Sequence, residues 1–161
     1  MKSFKMYNHS PVNYDCPFCK VSQNRDFDSI YTKQEDVFYW DEDLTAFIGS
    51  HSWPKNHGNT IIISNEHFEN IYDIPETILM KIATLSKKIA IAMKKEYGCD
   101  GISTRQHNEP AGNQDIWHFH YHIIPRFEND RLYERTKEKQ LSDPIERSKF
   151  AAILRNHFKT R

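Results

Sequence analysis

The segment Trp117-His118-Phe119-His120-Tyr121-His122-Ile123-Ile124-Pro125-Arg126 sets histidines at alternate positions. Successive side chains on a strand point to opposite faces. His118, His120 and His122 therefore share one face, and Trp117, Phe119, Tyr121 and Ile123 share the other. The aromatic face needs burial, and the long helix of the chain is the expected cover. The histidine face must meet water, a metal or a ligand, because each imidazole carries two nitrogens to satisfy. One reading is an edge strand with solvated histidines. A second is a metal site, in which two histidines at i and i+2 share a zinc. His118 and His122 lie about 13 Å apart on an extended strand, so one ion with Zn–N near 2.1 Å cannot take all of them. A third reading is phosphorus chemistry. A neutral imidazole attacks a phosphate ester when a hydrogen bond to its other nitrogen fixes the tautomer. Neighbouring imidazoles disfavour one another's charge. His120, flanked on both sides, is the nucleophile candidate, and the outer histidines can donate to phosphate oxygens or to the leaving group.

Cys16-Pro17-Phe18-Cys19 is the other reactive cluster. Cys-Pro-aromatic-Cys is a redox motif where the first cysteine follows a buried strand and opens a helix that lowers its pKa. Asn8 to Asp15 is not strand-like, which weighs against that reading. A zinc knuckle, with two thiolates and two distant histidines completing a tetrahedron, fits better. Two free buried cysteines remain the bland alternative. Cys99, after Gly98, reads as packing only.

These groups need a scaffold, and the chain supplies one. Val37–Trp40, Leu44–Ile48 and Thr60–Ile63 read as strands, with Asp41-Glu42-Asp43 as a turn and Ser50–Gly58 as a loop. Residues 75–97 read as one long helix, with Pro75 at its first position, Glu76 at the positive end of the dipole and Gly98 as its stop. Ile78, Ile82, Leu85, Ile89 and Ala92/Met93 form its apolar face, leaving Lys87, Lys88, Lys94 and Lys95 to solvent. Residues 100–106 and 116–124 are further strands. A last helix spans Pro144 to about Phe158, with Asp143 and Glu146 at capping-box spacing and Phe150, Ile153, Leu154 and Phe158 as its stripe. Residues 128–142 read as a charged, mobile connection. Trp40, Trp53 and Tyr72 read as packing residues. The order predicts an α+β fold on an antiparallel sheet, in a single domain over 1–161.

Composition bounds the function. The chain has 161 residues, with 22 Lys plus Arg against 22 Asp plus Glu. A balanced total does not point to a basic face holding long nucleic acid, although it leaves room for a local basic patch. Mean hydropathy is −0.78, and no apolar run reaches the length of a membrane span. Met1-Lys2-Ser3-Phe4-Lys5 lacks the apolar stretch of a secretory signal. With 3 cysteines, the expected setting is the reducing cytoplasm.

His118-Phe119-His120-Tyr121-His122-Ile123-Ile124 resembles the histidine-triad (HIT) pattern, and Pro125-Arg126 continues as in its dinucleoside-polyphosphate-hydrolase-like branches. Asn108 to Asp115 resembles the phosphate loop that precedes the triad in this family. Pro54 to His67 resembles its strand and loop before the long helix. The blocks occur in the family's order over about residues 14–127, with the charged linker and last helix, 128–161, beyond. The resemblance implies a HIT-like, five-stranded antiparallel sheet and a homodimer joined through the long helix and a sheet edge. It implies a hydrolase or transferase acting on the α-phosphate of nucleoside phosphoramidates, dinucleoside polyphosphates or related conjugates through a nucleotidyl-histidine intermediate. On it, His120 is the nucleophile, and His122 contacts phosphate and assists the leaving group. Gln114, with Asn108 and Asp115, binds phosphate oxygens. Phe47, with Ile48, lines the nucleoside pocket, although Phe47 as ordinary core is an equal reading. The resemblance also names His67 and His118 as partners of Cys16 and Cys19 around a structural zinc, with Mg²⁺ not required. The chain departs from the family pattern at Asn59, where a supporting histidine is usual and His57 is the nearby substitute. It departs at Gly49, where an acidic residue often holds the ribose, and at Asp115, where Ser or Thr is common. A nucleotide-binding module with vestigial activity, and a thiol–disulfide oxidoreductase, are the alternatives.

Overall fold

The computed structural model describes residues 7–23 and 31–159. The N-terminal pentapeptide read above for a signal lies outside them. The elements run α1 (Pro17–Ser22), β1 (Val37–Trp40), β2 (Leu44–Ile48), β3 (His51–Ser52), β4 (Thr60–Ser64), α2 (Glu76–Glu96), β5 (Gly101–Gln106), β6 (His120–Arg126), β7 (Gln140–Leu141) and α3 (Pro144–Lys159). Five strands form one antiparallel sheet in the order β1-β2-β4-β6-β5. The fold is the expected α+β, HIT-like arrangement.

Chemistry along the chain explains the elements. Asp41 turns β1 into β2 because its Oδ1 accepts from the amides of Asp43 and Leu44 at 2.9 and 2.7 Å, a side-chain mimic of a backbone turn. The apolar runs of β2 and β4 are buried at every position, since both faces of the sheet are covered. On one face Ala46, Ile48, Ile62, Phe119 and Ile123 meet Ile82, Leu85, Ile89, Ala92 and Met93 of α2, with Ala151 and Leu154 of α3. On the other, Phe47, Ile61 and Ile63 meet Cys16, Phe18 and Val21 around α1. α2 ends where Gly98 takes φ +63°, a left-handed conformation that glycine adopts without a Cβ clash.

Several expectations need correction. Pro75 is the extended residue before α2 and not its first helical position. β6 begins at His120, so His118 sits in the approach to the strand. Trp117 leaves the aromatic face and lies 5.6 Å from the His9 ring. Asp143 Oδ1 accepts from the Ile145 amide at 3.0 Å, but Glu146 does not close a capping box, because its carboxylate meets His57 Nδ1 at 3.1 Å. Ile153 is exposed, whereas Arg147 is buried and meets Asp36 at 3.1 Å. The 128–142 segment is anchored, not loose. Asp130 and Leu132 are buried in it, and β7 pairs with β3 inside the expected 50–58 loop.

Candidate functional site

Register builds the site. Ile63 and Ile61 of β4 lie opposite His120 and His122, and Arg105 of β5 lies opposite His122 on the other side. Directly paired residues share a sheet face. His120 and His122 therefore stand on the α1 side with Ile61, Ile63 and Arg105. His120 Nδ1 lies 2.7 Å from the His118 carbonyl. A carbonyl only accepts, so Nδ1 carries the proton and Nε2 keeps its lone pair. Burial pushes the His120 and His122 pKa values down, which keeps both rings neutral at pH 7. Their rings meet edge to face at 5.0 Å.

Both rings border a cleft of about 280 Å³. Pro17, Phe18, Val21 and Ile61 make its apolar part, and Ser50, His51, Asn59, Asp115 and Lys139 its polar part. This division suits a ligand with a flat apolar group and an anionic one. Asp115 Oδ1 stands 3.9 Å from His120 Nε2, with the aspartate side chain 69% exposed and free to turn away.

A second cluster lies under the first. Cys16 Sγ is 3.4 Å from His118 Nδ1, and Cys19 Sγ is 3.2 Å from His67 Nδ1 and 3.6 Å from His118 Nδ1. All ligand atoms of this set lie within 4.8 Å of one another. Zn–S near 2.3 Å and Zn–N near 2.1 Å at tetrahedral angles predict an S···N edge of about 3.6 Å. The donors fit zinc. His118 Nε2 stands 2.9 Å from the Ser64 carbonyl, so it carries the proton and turns Nδ1 toward the thiolates, as an outer partner of a ligating histidine does. Burial pushes the His118 pKa down to about 3, and a neutral imidazole is the form that ligates.

The expected phosphate loop is assembled differently. Gln114 is buried, and its Nε2 donates to the Glu69 and Ile116 carbonyls at 2.6 and 3.0 Å. Its Oε1 accepts from the Glu109 amide at 2.8 Å. In this conformation Gln114 holds the loop and offers no donor to the cleft. Asn108 is spent likewise on the Ile71 amide and the Gln106 side chain. Phe47 is fully buried beneath Phe18, ring centroids 5.5 Å apart, so Phe18 rather than Phe47 faces the cleft. Ile48 belongs to the core on the opposite face. His57 turns to Glu146 and to the Pro54 carbonyl, away from the cleft. The Gly49 and Asn59 departures are one feature: a Cβ on Gly49 would lie 2.2 Å from Asn59 Oδ1. The asparagine fills the space an acidic side chain would need.

Phe18, His51, Trp53, Arg105 and Lys139 were not read as site residues from the sequence. Phe18 sits between the two cysteines, and that adjacency was the available signal. Arg105 becomes legible once β5 is set in register with β6.

The fold and the paired imidazoles define the class, and comparison with known proteins agrees. The HIT domain profile matches residues 32–129, and the chain belongs to the HIT family. An uncharacterized HIT-like protein of Methanocaldococcus jannaschii is 33% identical over 115 residues, which is 71% of this chain and 81% of that one. The adenosine 5′-monophosphoramidase of Saccharomyces cerevisiae is 29% identical over 76% of this chain and 69% of its own. Among solved structures, a HIT-like protein of Bartonella henselae superposes with a TM-score of 0.71 at 28% identity, covering 92% of this chain and 98% of that chain. A zinc-bound histidine-triad protein of Mycobacterium smegmatis gives a TM-score of 0.72 at 22% identity, covering 91% and 94%. Among the described residues, no helix is long and apolar enough to cross a membrane.

Proposed function

We propose that the protein hydrolyses nucleotides at the α-phosphate through a nucleotidyl-His120 intermediate. The observation that carries this reading is the fixed tautomer of His120, which leaves Nε2 unprotonated on a ring that borders a largely apolar cleft. The Nε2 lone pair forms a bond to the α-phosphorus. The bond from phosphorus to the leaving group breaks, and the leaving group departs with that electron pair and takes up a proton. Water then attacks the same phosphorus, the P–N bond breaks, and a nucleoside monophosphate and free imidazole result. The imidazolium formed in the first half is supported by the His118 carbonyl and by Asp115. His122, next to His120, faces phosphate oxygens or the departing atom. The monophosphoramidase activity named for the yeast relative supports hydrolysis at the α-phosphate of a nucleotide.

Zinc at Cys16, Cys19, His67 and His118 would be a closed structural site, since four protein ligands leave no open position. No step passes through it. Homodimerisation is part of the reading: among the described residues β5 ends the sheet, and α2 packs on the neighbouring β6.

The test is incubation with adenosine 5′-phosphoramidate and with diadenosine polyphosphates, scored as AMP release. Alkaline quench of a radiolabelled reaction should trap phosphorus on His120, because a phosphorus–imidazole bond survives base and is hydrolysed in acid. His120→Ala should lower turnover by roughly a thousandfold or more. No AMP from any substrate, or an equally active His120→Ala, defeats the proposal. A nucleotide-binding module without turnover is the second reading. The Asp115 carboxylate beside Nε2 and the committed amides of Gln114 and Asn108 favour it. It predicts nucleotide affinity with no AMP formed.

A further inference from the structure

Arg105 stands on the site face, opposite His122. Its guanidinium carbon lies 5.4 Å from the centre of the Trp53 ring and 5.1 Å from that of Tyr133. Trp53 and His122 both border the cleft, and Arg105 stands behind them, against the Trp53 ring, rather than on the cleft wall itself. The aromatic faces orient the guanidinium plane. They do not neutralise it. Among the described residues no ion pair involves Arg105, and its Nη2 is buried without a hydrogen-bond partner. The contrast is Arg126, which shares the Tyr133 ring at 4.8 Å but is paired with Asp130 at 2.7 Å. Arg105 as a whole is half-buried, but a buried N–H with no partner is costly until an acceptor meets it. Lys139 adds a second positive group, this one on the cleft wall, and no ion pair is recorded for it among the described residues. Among the described residues Asp115 is the one carboxylate bordering the cleft, and it stands at the His120 side.

We propose that Arg105, aided by Lys139, forms a subsite for an anionic leaving group, a phosphate or polyphosphate tail, and sets a preference for it over a neutral amine. The inference rests on the hydrolase reading only for the statement that a leaving group departs from the α-phosphate, and it names the chemical class of that group. The subsite itself is a matter of binding. When the tail enters, the guanidinium turns from behind Trp53 toward it and binds it by a charge-assisted hydrogen bond from the unspent Nη2, the type of contact guanidinium makes best with phosphate.

Two measurements test it. By calorimetry, wild-type protein should bind ADP about tenfold more tightly than AMP, the value of one good charge-assisted contact. Arg105→Gln should erase that ratio, Arg105→Lys should keep part of it, and Lys139→Gln should reduce it. In turnover, the ratio of kcat/KM for diadenosine triphosphate to that for adenosine 5′-phosphoramidate should fall by a similar factor in Arg105→Gln. Equal wild-type affinity for ADP and AMP overturns the proposal. So does an Arg105→Gln protein that loses both affinities alike. Should Arg105→Gln not fold, the exposed Lys139→Gln carries the same binding comparison, and an unaltered ADP-to-AMP ratio there counts against the subsite. If neither substrate is turned over while ADP is still preferred in an Arg105-dependent way, the hydrolase reading fails and the anion subsite stands.

Discussion

Asp130 is the residue on which the wall of the cleft depends. Its carboxylate accepts from Arg126 Nε and Nη2 at 2.7 Å each, from Asn56 Nδ2 at 2.7 Å, and from the Phe127 and Leu132 amides at 3.0 Å each. It thereby ties β6, the segment after it, and the loop that carries Trp53, whose carbonyl accepts from the Asn56 amide at 2.9 Å. Asp130→Asn keeps the shape but replaces one acceptor oxygen with an NH₂ group facing donors. Breaking a buried pair costs about 3–5 kcal/mol. The Arg126 side chain is 21% exposed, and water can rescue part of its charge, so the low end, about 3 kcal/mol, is expected. For a chain of this size that lowers Tm by about 9 °C. The assay is thermal unfolding by circular dichroism from pH 7 to pH 3. Arg126 holds the Asp130 carboxyl far below the usual carboxylate range. A depressed folded-state pKa gives stability that is complete above the unfolded value near 3.9 and is lost as pH falls toward the folded value. The gap between wild type and Asp130→Asn should therefore be constant down to about pH 5 and narrow below about pH 4. A variant within 2 °C of wild type at pH 7 (about 0.7 kcal/mol) would refute the argument, as would a gap that widens in acid.

Four further outcomes follow from the same contacts. Chelation should release two thiols per chain, from Cys16 and Cys19, and lower stability by about 4 kcal/mol if zinc is present at a thousand times its Kd; thiol titration alongside a melting curve checks this. Gly49→Asp alone should destabilise or misfold, because its Cβ meets Asn59 Oδ1, and adding Asn59→Gly should recover the melting temperature. Asp115→Asn removes a negative charge 3.9 Å from His120 Nε2, and nucleotide KM should fall about three- to tenfold, more at low salt than at high. Arg147→Ala strands the buried Asp36 carboxylate and should cost about 3–5 kcal/mol in chemical denaturation.

The sheet and the long helix were legible because they depend on period and on turn chemistry. The run Thr60-Ile61-Ile62-Ile63 and the stripe from Ile82 to Met93 leave few alternatives. The metal cluster was legible through family resemblance, since nothing local in His67 marks it as a partner of Cys19. The Gln114, Asn108 and Phe47 expectations met a different difficulty. A motif fixes where a residue lies along the chain, but hydrogen-bond saturation decides which way an amide points. Glu69 and Ile116 claim the Gln114 donors, and neither claim is visible in the local sequence. The 128–142 segment misled for a related reason. A charged run reads as solvated, whereas Arg126 and Asp130 are paired with each other and screened by Leu132 and Tyr133.

The Cys16–Cys19 segment shows why a structural corner and a reactive one share a sequence. α1 is six residues long, too short to hold a helix on its own. Its position comes from the cysteines meeting His67 and His118 and from Phe18 packed on Phe47. The same Phe18 ring stands edge to face against His120 at 5.3 Å, so what fixes α1 also fixes one wall around the nucleophile candidate. His118 joins the two from the other side. Its Nδ1 faces the thiolates, and its backbone carbonyl sets the His120 tautomer. An alternating histidine pattern thus serves two neighbouring clusters at once. His118, in the approach to β6, turns to the cysteines, while His120 and His122, on the strand itself, turn to the cleft.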